Sequence, residues 1–308
     1  MRRQRGMALA LALLVLAIAA ILAYALIDQG AASRATAAAY GRQLQAAEIA
    51  RGLEAWVGEQ LRRDLAEREA VDSRNEEWAG ALPPLPFERG TVTGRITDLD
   101  GRYDLNALVK DGVVVDFQRR RLERLLTLLD LPAELAPAIA DYLDADALPL
   151  SGGAEDADYL GLDPPRRPAN RPFSHIGELL YVRGVSPAIY ARLLPQVTAL
   201  PPGSALNVNT ASLELLMALH PQIDLPLARQ LYQEGRAQHA NLGQFLEPLA
   251  PKGIALTAAE QQSLSVQSRH FELRATIVLD GVPHAARAVI QRSAEGVRVI
   301  ERGLTGAQ

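Results

Sequence analysis

MRRQRGMALALALLVLAIAAILAYALI (residues 1–27) decides how the rest of the chain is read. Arg2, Arg3 and Arg5 crowd the start, Gly6 follows, and no further charge occurs before Asp28. The run Met7–Ile27 holds 21 uncharged, almost wholly aliphatic residues. At about 1.5 Å of rise per residue it spans roughly 31 Å as a helix, the thickness of a bilayer core. The arginines predict a cytoplasmic N-terminus and an exported remainder. A cleaved secretory signal also fits, because Ala17-Ile18-Ala19 and Ala23-Tyr24-Ala25 have small-residue cleavage patterns. Against that reading, no polar break separates the run from the helical pattern that follows.

Beyond Asp28, apolar residues recur at Tyr40, Leu44, Leu53, Val57, Leu61 and Leu65, mostly four apart and with no proline among them. That spacing predicts one helix face continuing the apolar run to about residue 69, the outer half packing on a globular head. GALPPLP (residues 80–86) reads as a helix breaker. TVTGRITDLDGRYDLNAL (residues 91–108) then reads as strand, Asp100-Gly101 turn and short strand. Leu/Ala periodicity punctuated by proline predicts helices over 117–265. HFELRATIVLDG, PHAARAVIQRS and GVRVIERG close the chain as three strands joined at Asp280-Gly281 and Glu295-Gly296. The fold class is therefore α+β: a long N-terminal helix, an antiparallel sheet and a large helical insertion between its strands.

The net charge of −4, without a basic tail, gives no electrostatic reason for nucleic-acid binding. The chain has no cysteine, so packing or metal ions must brace whatever is exported. His175, His220, His239, His270 and His284 are scattered without ligand spacing and read as packing or surface residues. No nucleophile elbow, phosphate-cradling glycine loop or zinc-ligand pair is present in the sequence, which argues against an enzyme.

Four stretches carry a family resemblance: the leader, DLDGRYDLNAL, LNVNTASLELLMAL, and the long block from DYLDADALPLSGGAEDADYLGL to ARLLPQVTALP. In that order they resemble the general secretion pathway protein K family, the large minor pseudopilins of type II secretion systems. The resemblance implies a leader, 1–6, cut after Gly6 by prepilin peptidase, with methylation of the new Met7 amine. It implies a transmembrane segment, 7–27, and its helical continuation, 28–69. A pilin-like head follows, split into 85–116 and 266–308 around an inserted α-domain, 117–265. The implied partners are the inner membrane, the I and J type minor pseudopilins, and secreted substrates or the outer-membrane secretin. The implied place is the tip of a periplasmic pseudopilus. In most pilin-like subunits the fifth mature residue is Glu; here that place is Leu11.

The acid-rich loop after Asp141-Tyr142-Leu143 offers Asp144, Asp146, Glu155, Asp156 and Asp158. Hard cations take six to eight oxygens, which clustered carboxylates and loop carbonyls supply. Asp144, Asp146 and Glu155 fall at relative positions 1, 3 and 12, but Leu148 and Pro149 at positions 5 and 6 exclude an EF-hand. The residues alone slightly favour a solvated loop whose acids cap helices. The resemblance implies the family's calcium-binding loop, with the ion in a structural role. A second group, Asp98, Asp100, Asp104 and Asn106, is assigned to turn chemistry.

LNVNTASLELLMALHPQIDLPLARQLYQEG resembles a helix-hairpin-helix unit, and FSHIGELLYVRGVSPAIYARLLP a degenerate second copy. Phosphate-binding versions rely on glycine pairs in the turn, which both copies lack, and no Lys/Arg cluster flanks them. Packing is the expected use of both units, with Asn207, Asn209 and Thr210 capping and turning. The alternatives are an anchored DNA-binding protein of this type, or an ordinary periplasmic protein with a signal or anchor.

Overall fold

The computed structural model describes residues 3–67 and 71–306; Met1 and Arg2 of the leader, residues 68–69 of the expected helix and residues 307–308 of the last segment lie outside the described residues. Helix α1 (Arg3–Glu67) is continuous through the Gly6–Met7 boundary and the whole apolar run. Its first part is long and apolar enough to cross a membrane, and Leu9 to Ile27 stand clear of the head. Farther along, the apolar stripe divides. Tyr40 and Leu44 are exposed, whereas Ala46, Ala50, Leu53, Val57 and Leu61 are buried.

Those five residues lie on one antiparallel sheet made of β1 (Ala81–Phe87), β2 (Gly90–Asp98), β3 (His270–Leu279), β4 (Val282–Ser293) and β5 (Gly296–Gly306), in that order. Phe271, Leu273, Ala275, Ile277, Ala288 and Ile290 complete the head core, and Trp78 meets Phe271 edge-on at 5.1 Å. Each buried Leu or Ile contributes about 1.5–3 kcal/mol, which supports a helix otherwise weakened by Gly52 and Gly58. The Asp280-Gly281 turn falls where expected, whereas the second is one residue earlier, at Ala294-Glu295, because Gly296 already pairs with Ser293.

Two expectations need correction. GALPPLP does not only break the helix: Ala81–Phe87 is an edge strand with a register shift between Leu82 and Leu85. Proline, lacking an N–H, is tolerated on an edge, and Pro83, Pro84 and Pro86 sit there. The strand, Asp100-Gly101 turn and short strand stand as expected, but the two strands do not pair with each other. The residues after the turn, Tyr103-Asp104, pair in parallel with Val197-Thr198, far along the chain. Tyr103, Leu105 and Leu108 join the core of the insert. The first part of the head therefore ends at Asp98, not at residue 116.

The insert comprises α2 (Asp116–Leu128), α3 (Leu135–Leu143), α4 (Asp156–Leu160), α5 (Pro187–Leu193), α6 (Leu213–Ala218), α7 (Leu225–Tyr232), α8 (Leu242–Leu246) and α9 (Ala258–Gln262). The helix-hairpin-helix-like units are the pairs α6–α7 and Ile176–Tyr181 (a 3-10 helix) with α5. Both pack into the core of the insert. Ser186, Ser212 and Asp224 cap α5, α6 and α7.

The insert joins the head through a buried polar knot. Asp98 accepts from Thr210 Oγ1, from Ser268 Oγ at 2.5 Å and from Asn207 Nδ2 at 3.2 Å. Asp100 accepts from the Arg269 and His270 N–H groups and faces His270 Nδ1 at 3.0 Å. Arg292 grips Asp72 through Nη2 at 2.5 and 2.6 Å and reaches Asp64 at 2.9 Å. Burial, followed by the charge of Asp100, pushes the Asp98 carboxyl up to about 7. Asn207 and Thr210 thus tie the insert to the head, while Asn209 brackets His239, accepting from its N–H at 2.8 Å. Asp104 accepts from the Asn106 and Leu200 N–H groups. These roles match the structural assignment of the second acidic group.

Candidate metal centre

Helix α3 is apolar on every side, and all nine of its residues are buried. Asp141, in its last turn, is fully buried, and Asp144 forms the C-cap with an extended backbone. Spaced three apart, the two acids share one face of the helix end. The chain then loops out through Asp146 and Leu148 and returns at Glu155, the N-cap of α4. Asp141 shapes this return: its Oδ2 accepts the Leu150 N–H at 3.1 Å and the Ala154 N–H at 2.8 Å. Gly153 makes room, since a Cβ there would stand 1.8 Å from Asp141 Oδ2.

The result is a group of three buried carboxylates, Asp141, Asp144 and Glu155, each offering one oxygen within 4.8 Å of the others. Asp144 Oδ1 and both Glu155 carboxylate oxygens are buried without any donor. Burial, then the charges of Asp144 and Asp141, pushes the Glu155 carboxyl up to about 7. Burial, then the neighbouring acids, raises Asp141 and Asp144 to about 6. Three buried carboxylates that repel one another, two of them with oxygens that lack donors, could hold a hard cation, which would supply the missing charge and accept their lone pairs.

Of the five acids expected to be ligands, Asp144 and Glu155 converge here. Asp146 sits exposed on the loop, where its Oδ1 accepts the Leu148 N–H at 2.7 Å. Asp156 is turned to Arg167 at 2.6 Å. Asp158 pairs with Arg183 at 2.7 Å and caps the Glu155 N–H at 3.3 Å. The two helix-borne acids are therefore drawn off by arginines, while Asp141 takes a place the sequence reading did not give it. A signal existed: Asp141 lies three residues before Asp144 at the end of an apolar helix. A second carboxylate group, Asp64, Asp72 and Glu76, is already supplied with donors by Arg292, the Ser73 N–H and Trp78 Nε1.

A family model for type II secretion system (T2SS), protein K matches residues 101–202 and 206–267, which together are the insert. Over almost the whole chain, the type II secretion system protein K of Pseudomonas aeruginosa is 34% identical, covering 98% of this chain and 93% of its own length. The Klebsiella pneumoniae protein of the same name is 32% identical over 97% of this chain and 96% of its own. The fold matches a chain of the GspK-GspI-GspJ complex from the enterotoxigenic Escherichia coli type 2 secretion system with TM-score 0.72 and 24% identity, covering 87% and 97% of the two chains. Neither the DNA-binding reading nor that of an ordinary periplasmic protein finds support in these relatives. With its membrane-anchoring apolar helix, split pilin-like head and matched insert, the chain belongs to the type II secretion system protein K family, a minor pseudopilin of that secretion system.

Proposed function

We propose that this subunit works at the tip of the pseudopilus, with its N-terminus processed at Gly6–Met7 and its head in the periplasm. The observation that carries this reading is α1. It is one unbroken helix whose apolar part is exposed from Leu9 to Ile27 and bears Leu11 where a carboxylate would meet the amine of a preceding subunit. A subunit with none ahead of it has no such amine to neutralise, and a lone carboxylate in the apolar bundle would be costly. The work is assembly rather than catalysis: nucleating or capping the fibre beside I and J type subunits, the partners named with the structural relative. Exposed Tyr40 and Leu44, between membrane segment and head, extend the apolar surface available to their helices.

Calcium is the cation that best suits the insert, held by Asp141, Asp144 and Glu155 with the carbonyls of the returning loop completing an all-oxygen set. It would supply charge compensation and tie α3 to α4 in a domain without disulfides. The residues present fit it, because each of the three carboxylates brings one oxygen within 4.8 Å of the others, and Asp144 Oδ1 and both Glu155 oxygens are buried without a donor.

Mass spectrometry of the mature chain tests the assembly reading. A product beginning at methylated Met7 is expected. One beginning at Ala20 or Leu26, or an uncut Met1, would overturn it.

A further inference from the structure

The insert contains a second buried charge, of opposite sign. Arg121 on α2 is 2% exposed. Its Nη1 donates to Ser263 Oγ at 3.2 Å and to Gln118 Oε1 at 3.4 Å, and its guanidinium lies 5.6 Å from the Phe117 ring centroid. Nε and Nη2 have no acceptor. The contrast with Arg292 is direct, since that equally buried arginine has Asp72 and Asp64 on it.

No carboxylate answers Arg121 in this way. Glu260, across from it on α9, is engaged through Oε2 with the Thr257 N–H and hydroxyl. Arg124, one turn on, adds like charge while donating to the Ala218 and Leu219 carbonyls. Burial lowers the Arg121 guanidinium only to about 10, so it remains a cation at neutral pH. The side chain lines a cavity of about 20 Å³ together with Gln118, Ser263, Ala205 and Asp104, enough for a single particle little larger than water. The Asp104 and Asp100 carboxylates in the wall already accept backbone N–H groups, and burial raises Asp104 to about 7.

We propose that Arg121 holds a halide-sized monovalent anion, chloride in practice, which receives the Nε and Nη2 hydrogens in the cavity between α2 and α9. The two donors on one edge of a guanidinium converge on a single acceptor, and a buried cation without a partner requires a charge, not only a lone pair. A water would satisfy the hydrogens but add no charge to the distant attraction of Glu260, which makes no bond to the guanidinium. The anion would brace α2 against the Ser263 end of the insert. It rests on different residues from the cation site.

The test is thermal melting of the full-length chain in detergent, in sodium chloride or in sodium gluconate at equal ionic strength. Chloride should raise the midpoint saturably by about 2–4 °C, bromide should replace it, and Arg121→Met should melt alike in both salts. Equal melting of the wild type in both salts would overturn the proposal and leave a water as the occupant. A chloride increment that persists in Arg121→Met would also overturn it, marking an adventitious ion only. Should Arg121→Met not fold, chloride NMR line broadening by the wild-type chain decides: broadening that bromide competes away supports the site, and its absence refutes it.

Discussion

Replacing Glu155 by Gln should change the stability of the insert in opposite directions with and without calcium. The carboxyl is buried, has no donor and is raised to about 7 beside Asp144 and Asp141. That rise corresponds to about 3 kcal/mol opposing its ionisation at neutral pH. A carboxyl raised by folding adds stability that is complete below its unfolded value, near 4, and is lost as pH climbs through its folded value. The metal-free chain should therefore weaken between about pH 4 and pH 7, the window of Asp141, Asp144 and Glu155. A bound cation reverses this slope by requiring all three ionised. At pH 7.5 without metal, Glu155→Gln relieves repulsion and should raise the melting midpoint, by at most about 6–12 °C. In saturating calcium it removes a ligand and should lower the midpoint. Calorimetry of the full-length chain, stripped of metal and then reloaded at pH 7.5 and 5.5, reads both signs. A shift of the same sign in both buffers, or a calcium effect as large at pH 5.5 as at 7.5, would refute the cation-site reasoning.

Gly153→Ala should weaken calcium binding at least tenfold by titration calorimetry, because the new methyl displaces the Asp141 carboxylate from the loop. Arg292→Met leaves Asp72 buried without its cation and should cost about 3–5 kcal/mol in denaturant unfolding; a loss below 1 kcal/mol would contradict the polar-knot account. Leu11→Glu should reduce secretion and tip incorporation, and a variant that assembles normally would show that the missing carboxylate is tolerated rather than required.

The long helix and last three strands were legible because each obeys one local rule: an uninterrupted apolar run, or alternation closed by a turn at or within one residue of Asp280-Gly281 and Glu295-Gly296. Pro83, Pro84 and Pro86 concealed β1, since local chemistry forbids a ladder donor but cannot say which side of the strand lacks a neighbour. Asp100-Gly101 turns as its local signal requires, but that signal does not name the partner of the short strand, which is the distant Val197-Thr198. The convergence of acids on the loop was half legible. Asp144 and Glu155 stood out as acids on a turning loop, but Asp156 and Asp158 looked equivalent until Arg167 and Arg183 reached them from outside the loop. Asp141 was hidden inside a helix whose burial only the tertiary fold reveals.

Strands β2 and β3 are adjacent in the sheet, with Asp98 opposite Phe271, yet the whole insert lies between them in sequence. In the orientation proposed above, α1, β1 and β2 would cross the membrane before the partner of β2 does. For a disordered connection, each doubling of loop length adds only about 0.6 kcal/mol to closing that pair, so the obstacle is one of order rather than of energy. The insert would then fold first and bring its two ends together, after which β3 to β5 complete the sheet. Until then β2 is an open edge guarded only on the far side by the prolines of β1. A chaperone acting on this precursor would have its task there, in the interval between the synthesis of two neighbouring strands.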